Sequence, residues 1–235
     1  MSQLRRLWGA GLVFAGAVAL GGAALAQGLP LFDGADFDRL LMQVPELDRD
    51  RIEATGAKPI IRYTAPTAIR RAGRAVGQVR VAVETEGGPA VVTCTGVLIS
   101  ENLVLTAFRC VPGVLAEPGL AARGPKRITR VDFITGFDAP RVGEQGQRVA
   151  LDPDPVEADA DLGFVVLRAD GRPGAEGAVL ALDPPSLSTG MPLAILGHPF
   201  GTSKQVVREG CALRGSVTEG GRLTHGCAAL PGNVG

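Results

Sequence analysis

The sequence predicts an all-β protein, and three observations carry that reading. Short runs of β-branched and aliphatic residues recur along the chain, some alternating with polar residues. Gly (33) and Pro (17) make up about a fifth of the 235 residues and punctuate those runs without any period, which favours many turns between short strands. Stretches with helical periodicity are few. With 46% hydrophobic and 20% charged residues, the chain can fill one sizeable core or two small ones.

Taken in order, the chain opens with Arg5 and Arg6, an apolar run from Leu7, and Ala24-Leu25-Ala26. A basic start, an apolar middle and a small-x-small end describe a secretory signal peptide over residues 1–26. An uncleaved anchor is the alternative, since about 20 apolar residues can span a bilayer. No later segment is long and apolar enough to do so, so no membrane span is expected after cleavage. Residues 27–75 form an N-terminal arm or a removable pro-segment. In it Phe37, Leu40, Leu41 and Val44 share one helical face, with Asp33 as a cap and Pro45 as a stop. Residues 46–75 are charged and irregular.

From Val76 the texture changes. Val79, Val81 and Val83 alternate with polar neighbours, the pattern of a half-buried strand. Glu86–Pro89 is a turn. Strands follow at Ala90–Ser100, Leu103–Thr106, Ile128–Phe137, Leu162–Arg168, Ala178–Leu182, Leu193–Gly197 and Gln205–Arg208. Several short strands with turn signals between them indicate a sandwich or a barrel.

Charge and cysteine usage narrow the function. Lys plus Arg equals Asp plus Glu at 24 each, and without Arg5 and Arg6 the chain carries a net charge of about −2, so no basic face marks a nucleic-acid partner. Two histidines and no Cys-x-x-Cys pair leave little for a metal site, and no metal or other cofactor is expected. In an oxidising compartment Cys94, Cys110, Cys211 and Cys227 form two disulfides. Three pairings exist; Cys94 and Cys110 lie sixteen positions apart, as do Cys211 and Cys227, and local pairing is the simplest. A loop of that size contributes about 3 kcal/mol on the chain-entropy model.

The stretch Cys94-Thr-Gly-Val-Leu-Ile-Ser-Glu-Asn-Leu-Val-Leu-Thr-Ala-Phe-Arg-Cys110 resembles the trypsin-like (chymotrypsin-fold) serine peptidases. There a Cys-x-Gly strand turns into a second strand ending Thr-Ala-Ala-His-Cys. Asp161-Leu-Gly-Phe-Val-Val-Leu167 is similar to the aspartate-led strand that supplies the triad acid. Leu196-Gly-His-Pro-Phe-Gly201 is similar to a turn of the bacterial glutamyl-endopeptidase-like branch, which makes His198 a turn residue; His225 also reads as local structure. Gly232-Asn-Val-Gly235 is similar to the Gly-Asn/Asp-Ser-Gly nucleophile motif.

The resemblance implies a double β-barrel over residues 76–235, the first barrel about 76–150 and the second about 151–235. In the family, further strands follow the nucleophile loop, so the second barrel is expected to be truncated at the C-terminus. It also assigns the triad positions, and two of them depart from the family. Arg109 stands at the histidine position; a guanidinium stays protonated and has no acceptor atom, so it cannot act as base. Val234 stands at the serine position and has no hydroxyl to acylate. Asp161 keeps the acid position, and the backbone amides of Gly232 and Val234 are the oxyanion-hole donors. Once one triad member is lost, a second loss costs little, so the two together imply a homologue that does not cleave, and the signal peptide implies that it is exported, periplasmic or secreted. A degenerate cleft leaves a peptide or protein as its ligand. An active serine endopeptidase using other groups, and a non-functional remnant, are the alternatives. With histidine absent, Arg109 and Asp161 are expected to form an ion pair.

Overall fold

The computed structural model describes residues 28–34, 46–64, 67–124, 126–139, 146–174, 179–180, 186–215 and 223–233. The expected signal peptide, the helix expected over Phe37–Val44, most of the strand expected at Ala178–Leu182, and Val234 lie outside them.

The strands are β1 (Leu31–Asp33), β2 (Lys58–Pro59), β3 (Val76–Thr85), β4 (Gly88–Leu98), β5 (Leu103–Ala107), β6 (Lys126–Thr135), β7 (Gln147–Leu151), β8 (Glu157–Asp159), β9 (Phe164–Arg168), β10 (Ile195–Gly197) and β11 (Gln205–Val207). The helices are α1 (Glu46–Ala54), α2 (Ala68–Ala75) and α3 (Pro118–Ala121). Among the described residues strands thus far outnumber the short helices, as the all-β reading expects.

The first sheet has the order β7-β6-β3-β4-β5-β9-β8, all antiparallel. Its two sides meet again. Leu151 bridges Ala169, the Asp152 amide donates to Arg168 O at 2.8 Å, and the Asp170 amide donates to Ala150 O at 2.9 Å. The sheet therefore curls until β7 reaches β9, which removes two of the open edges a flat sheet would expose. Val79, Val81, Val83, Val92, Leu98, Val104, Phe133 and Leu167 fill its buried interior. Gly77 and Gly96 make the packing there tight: a Cβ on Gly77 would stand 2.6 Å from the Phe133 ring, and one on Gly96 2.7 Å from Val79.

β8 and β9 belong to this first sheet, which therefore runs to Arg168, past the division expected near residue 150. Asp152–Pro155 only turns the chain between β7 and β8, two strands of that one sheet. A second difference lies in β3. Its valines face the core, yet Gln78 and Arg80 on the opposite face are also buried. Gln78 Nε2 donates to Gly201 O at 2.7 Å and Arg80 Nε donates to Gln78 Oε1 at 2.5 Å, because the segment preceding β11 covers that face.

The second sheet has the order β10-β11-β2. Isolated bridges Pro192–Ala212 and Leu213–His225 extend the region. Both disulfides are local, Cys94–Cys110 and Cys211–Cys227.

The described parts of the arm are built into both sheets. β1 pairs with β4 at Val92–Ala90, a stretch that β5 leaves uncovered because β5 pairs only with Gly96–Leu98. β2 pairs with β11, and the Ile60 amide donates to Lys204 O at 3.0 Å. Thr67 caps α2, its hydroxyl accepting from the Arg70 amide at 3.3 Å. From α2, Gly73 O accepts from the buried Lys204 Nζ at 2.7 Å, and Arg70 donates to Asp138 at 3.2 Å. Asp138 also accepts from Lys204 at 2.8 Å, the pairing a buried ammonium requires.

Candidate functional site

Antiparallel register gathers the expected triad positions. Ala107 at the end of β5 pairs with Phe164 at the start of β9, and Gly96 on β4 pairs with Thr106 on β5. Thr95, Ala107 and Phe164 thus form one row across three strands. Arg109 leaves that row two residues past Ala107, and Asp161 approaches it three residues before Phe164. The Phe108 amide donates to Gly163 O at 2.9 Å, tying the two loops together. The Cys94–Cys110 bond fastens the residue after Arg109 to the strand carrying Thr95.

Thr95 then ties in the third position. Its hydroxyl donates to Gly232 O at 2.7 Å and accepts from the His198 amide at 3.0 Å. Its carbonyl accepts from the Thr106 hydroxyl at 2.7 Å. The turn Pro231–Asn233 therefore rests on β4 and on the 198–201 turn, where the Phe200 amide donates to Pro231 O at 2.7 Å. Gly232 has a φ of +91°, and a Cβ there would stand 2.5 Å from His198 O, so backbone conformation and space both demand glycine. Among the described residues no acceptor takes the Gly232 amide. Val234, the partner expected for it and the serine position, lies outside those residues.

Arg109 is a third exposed, and its carboxylate partner is Glu117 rather than Asp161. Nη2 and Nε donate to Glu117 Oε1 at 2.6 and 3.1 Å, and Glu117 Oε2 accepts from the Leu29 amide at 3.3 Å. The reason is local. The chain folds back through a 3-10 turn at Gly113–Ala116 and sets Glu117 at the head of α3, beside the guanidinium, whereas Asp161 stands exposed in its own turn. That turn is capped by Asp159, whose Oδ1 accepts from the Leu162 amide at 2.7 Å. The Arg109–Glu117 pair borders a cavity of about 430 Å³ that is also lined by Leu29, Leu31, Val92, Pro118 and Leu120. Nothing in the sequence marks Glu117; only the fold-back brings it to Arg109.

The two histidines have contrasting surroundings. His198 is fully buried, with Phe137 stacked on it at 5.8 Å between ring centres. Its Nδ1 lies 2.9 Å from Thr202 O. A carbonyl only accepts, so Nδ1 carries the proton and Nε2 holds a lone pair, which has no hydrogen-bond partner among the described residues. Burial, with the Lys204 charge nearby, pushes its pKa down to about 3. A base enclosed in this way cannot reach a substrate. His225 is exposed, and its Nδ1 accepts from the Cys227 amide at 3.2 Å.

The sequence profile of the trypsin-like peptidase domain matches residues 94–235. No curated protein sequence matches the chain. Among solved structures the chain is similar to the inactive form of Rv3671c protease, at 17% identity and a TM-score of 0.45, over 71% of this chain and 72% of that one. It is similar to the active form from M. tuberculosis at 17% and 0.48, over 71% and 65%. It is also similar to Deg5, at 16% and 0.48, over 71% and 74%.

Proposed function

The chain belongs to the trypsin-like peptidase domain family, and from that premise we propose that it is an exported homologue that binds a peptide or protein segment without cleaving it. The observation that carries the proposal is Arg109, a permanent cation held by Glu117 where the family's motif has its base. A guanidinium on a carboxylate can neither accept a proton nor turn into the cleft as an imidazole does. Val234 at the serine position supports the same reading, since a valine forms no acyl-enzyme. The Gly232 amide, left without an acceptor among the described residues, suits it to hold a peptide carbonyl through oxyanion-type contacts alone.

The finer placement, in the bacterial glutamyl-endopeptidase-like branch, rests on the Gly197-His-Pro turn that Thr95 and Pro231 hold against the nucleophile motif. Export is supported by two paired disulfides, which suit an oxidising compartment. Among the described residues no helix is long and apolar enough to cross a membrane.

The test is covalent. Purified chain incubated with a labelled fluorophosphonate carries no label by intact-mass analysis. A serine tagged stoichiometrically in the folded chain, and untagged after denaturation, overturns the proposal.

A further inference from the structure

A second site lies away from the triad positions, where the arm meets the second sheet. Pairing of Val206 on β11 with Lys58 on β2 brings residues 208–209 beside residues 56–63. Together they enclose a cleft of about 430 Å³ lined by Gly56, Lys58, Arg62, Tyr63, Arg208 and Glu209. Gly56 has a φ of +69°, and a Cβ there would meet Glu209 Oε2 at 3.1 Å, so glycine both makes the turn and lets the carboxylate approach.

The charges are unbalanced. Lys58 Nζ and Glu209 Oε1 pair at 2.7 Å. Arg62 and Arg208 make no ion pair among the described residues. The cleft therefore holds three cations against one anion, and the two excess charges are guanidinia whose forked donors are uncommitted. Such donors match the oxygens of a tetrahedral oxyanion better than a single planar carboxylate does. The Tyr63 hydroxyl adds a neutral donor. A phosphate monoester is close to doubly negative at neutral pH, which balances the excess.

We propose that this cleft is a phosphate-binding site for free phosphate or for a phosphomonoester headgroup, bound across Arg62 and Arg208. Its donors come from the arm and from the end of β11, so the bound anion fastens the arm to the second sheet. The site is open to water, so its affinity falls with ionic strength.

The experiment titrates the full chain with inorganic phosphate by calorimetry, at low and at physiological ionic strength, with acetate as the control anion. A parallel arm sediments the chain with vesicles of phosphatidic acid or of phosphatidylcholine. Phosphate is expected to bind, more weakly in salt, and to protect the arm from limited proteolysis. The Arg62→Ala/Arg208→Ala double variant is expected to bind at least about tenfold more weakly. Glu209→Gln removes the only anion, frees Lys58 and is expected to bind about threefold or more tightly, a gain that misfolding cannot produce. Sedimentation with phosphatidic acid identifies the headgroup source; binding of free phosphate with no sedimentation identifies the soluble one. No binding of either, acetate binding as well as phosphate, or no response to either variant overturns the proposal.

Discussion

Acid should weaken this fold through His198 before it protonates most carboxylates. The imidazole titrates near 6.5 in the unfolded chain and near 3 in the folded one. Between those values the unfolded state binds the extra proton, so stability is complete above pH 6.5 and falls as pH drops towards 3. Each pH unit in that window removes about 1.4 kcal/mol. The loss is therefore about 3 kcal/mol at pH 4.5 and approaches about 5 kcal/mol near pH 3. The figure applies without discount for solvent because the ring is wholly buried. Urea unfolding at a series of pH values between 7.5 and 4.5 reads it. His198→Asn is the control: its amide can donate to Thr202 O as Nδ1 does, but it cannot titrate. The variant starts less stable, having lost the stack on Phe137, and the pH slope of the wild type should exceed its slope by the His198 contribution. Equal slopes in the two proteins would refute the reasoning.

Other outcomes follow from single contacts. Glu117→Gln weakens the hold on Arg109 and on the Leu29 amide; with the arginine a third exposed, solvent screening keeps the cost near 1 kcal/mol, read as a lower urea midpoint. Gly232→Ala forces a Cβ to 2.5 Å from His198 O at a φ of +91°, and should cost about 1–3 kcal/mol and weaken peptide binding measured by fluorescence anisotropy. Cys94→Ala/Cys110→Ala opens a loop of sixteen residues and should cost about 3 kcal/mol; an unchanged melting temperature would count against the disulfide's part in holding the Arg109 loop.

The first sheet was largely legible because its strands have strong local signals. Alternating valines mark β3, and the turns around Gly87 and Asn102 separate β3, β4 and β5. Weak elements were not legible. β2 is two residues long and includes a proline, so only its partner β11 makes it a strand. β8, Glu157–Asp159, has two acidic residues in three and becomes a strand by pairing with β9. Burial of Gln78 and Arg80 was invisible for a related reason: alternation reports one covered face, and the second cover comes from a segment more than a hundred residues away.

The site shows the same division. The motifs placed Arg109, Asp161 and Gly232 on adjoining loops, because disulfide, strand and turn chemistry is local. The partner of Arg109 was not legible. The motifs pointed to Asp161 as the acid beside Arg109, whereas the fold-back after Pro112 brings Glu117 to the guanidinium instead. The polar contacts of Gln78 and His198 were likewise hidden, since Gln78 to Gly201 O and the His198 amide to Thr95 join the first sheet to the segment between β10 and β11.

Binding without cleavage is what we propose for the site beside Arg109 and Gly232. The most direct measurement incubates the purified chain with a defined peptide library and follows it by mass spectrometry, after selecting binders by co-elution. Peptides are expected to co-elute and to be recovered intact at every time point, with Arg109→Ala equally silent. Cleavage products that accumulate in proportion to enzyme, and that a fluorophosphonate abolishes, would contradict it.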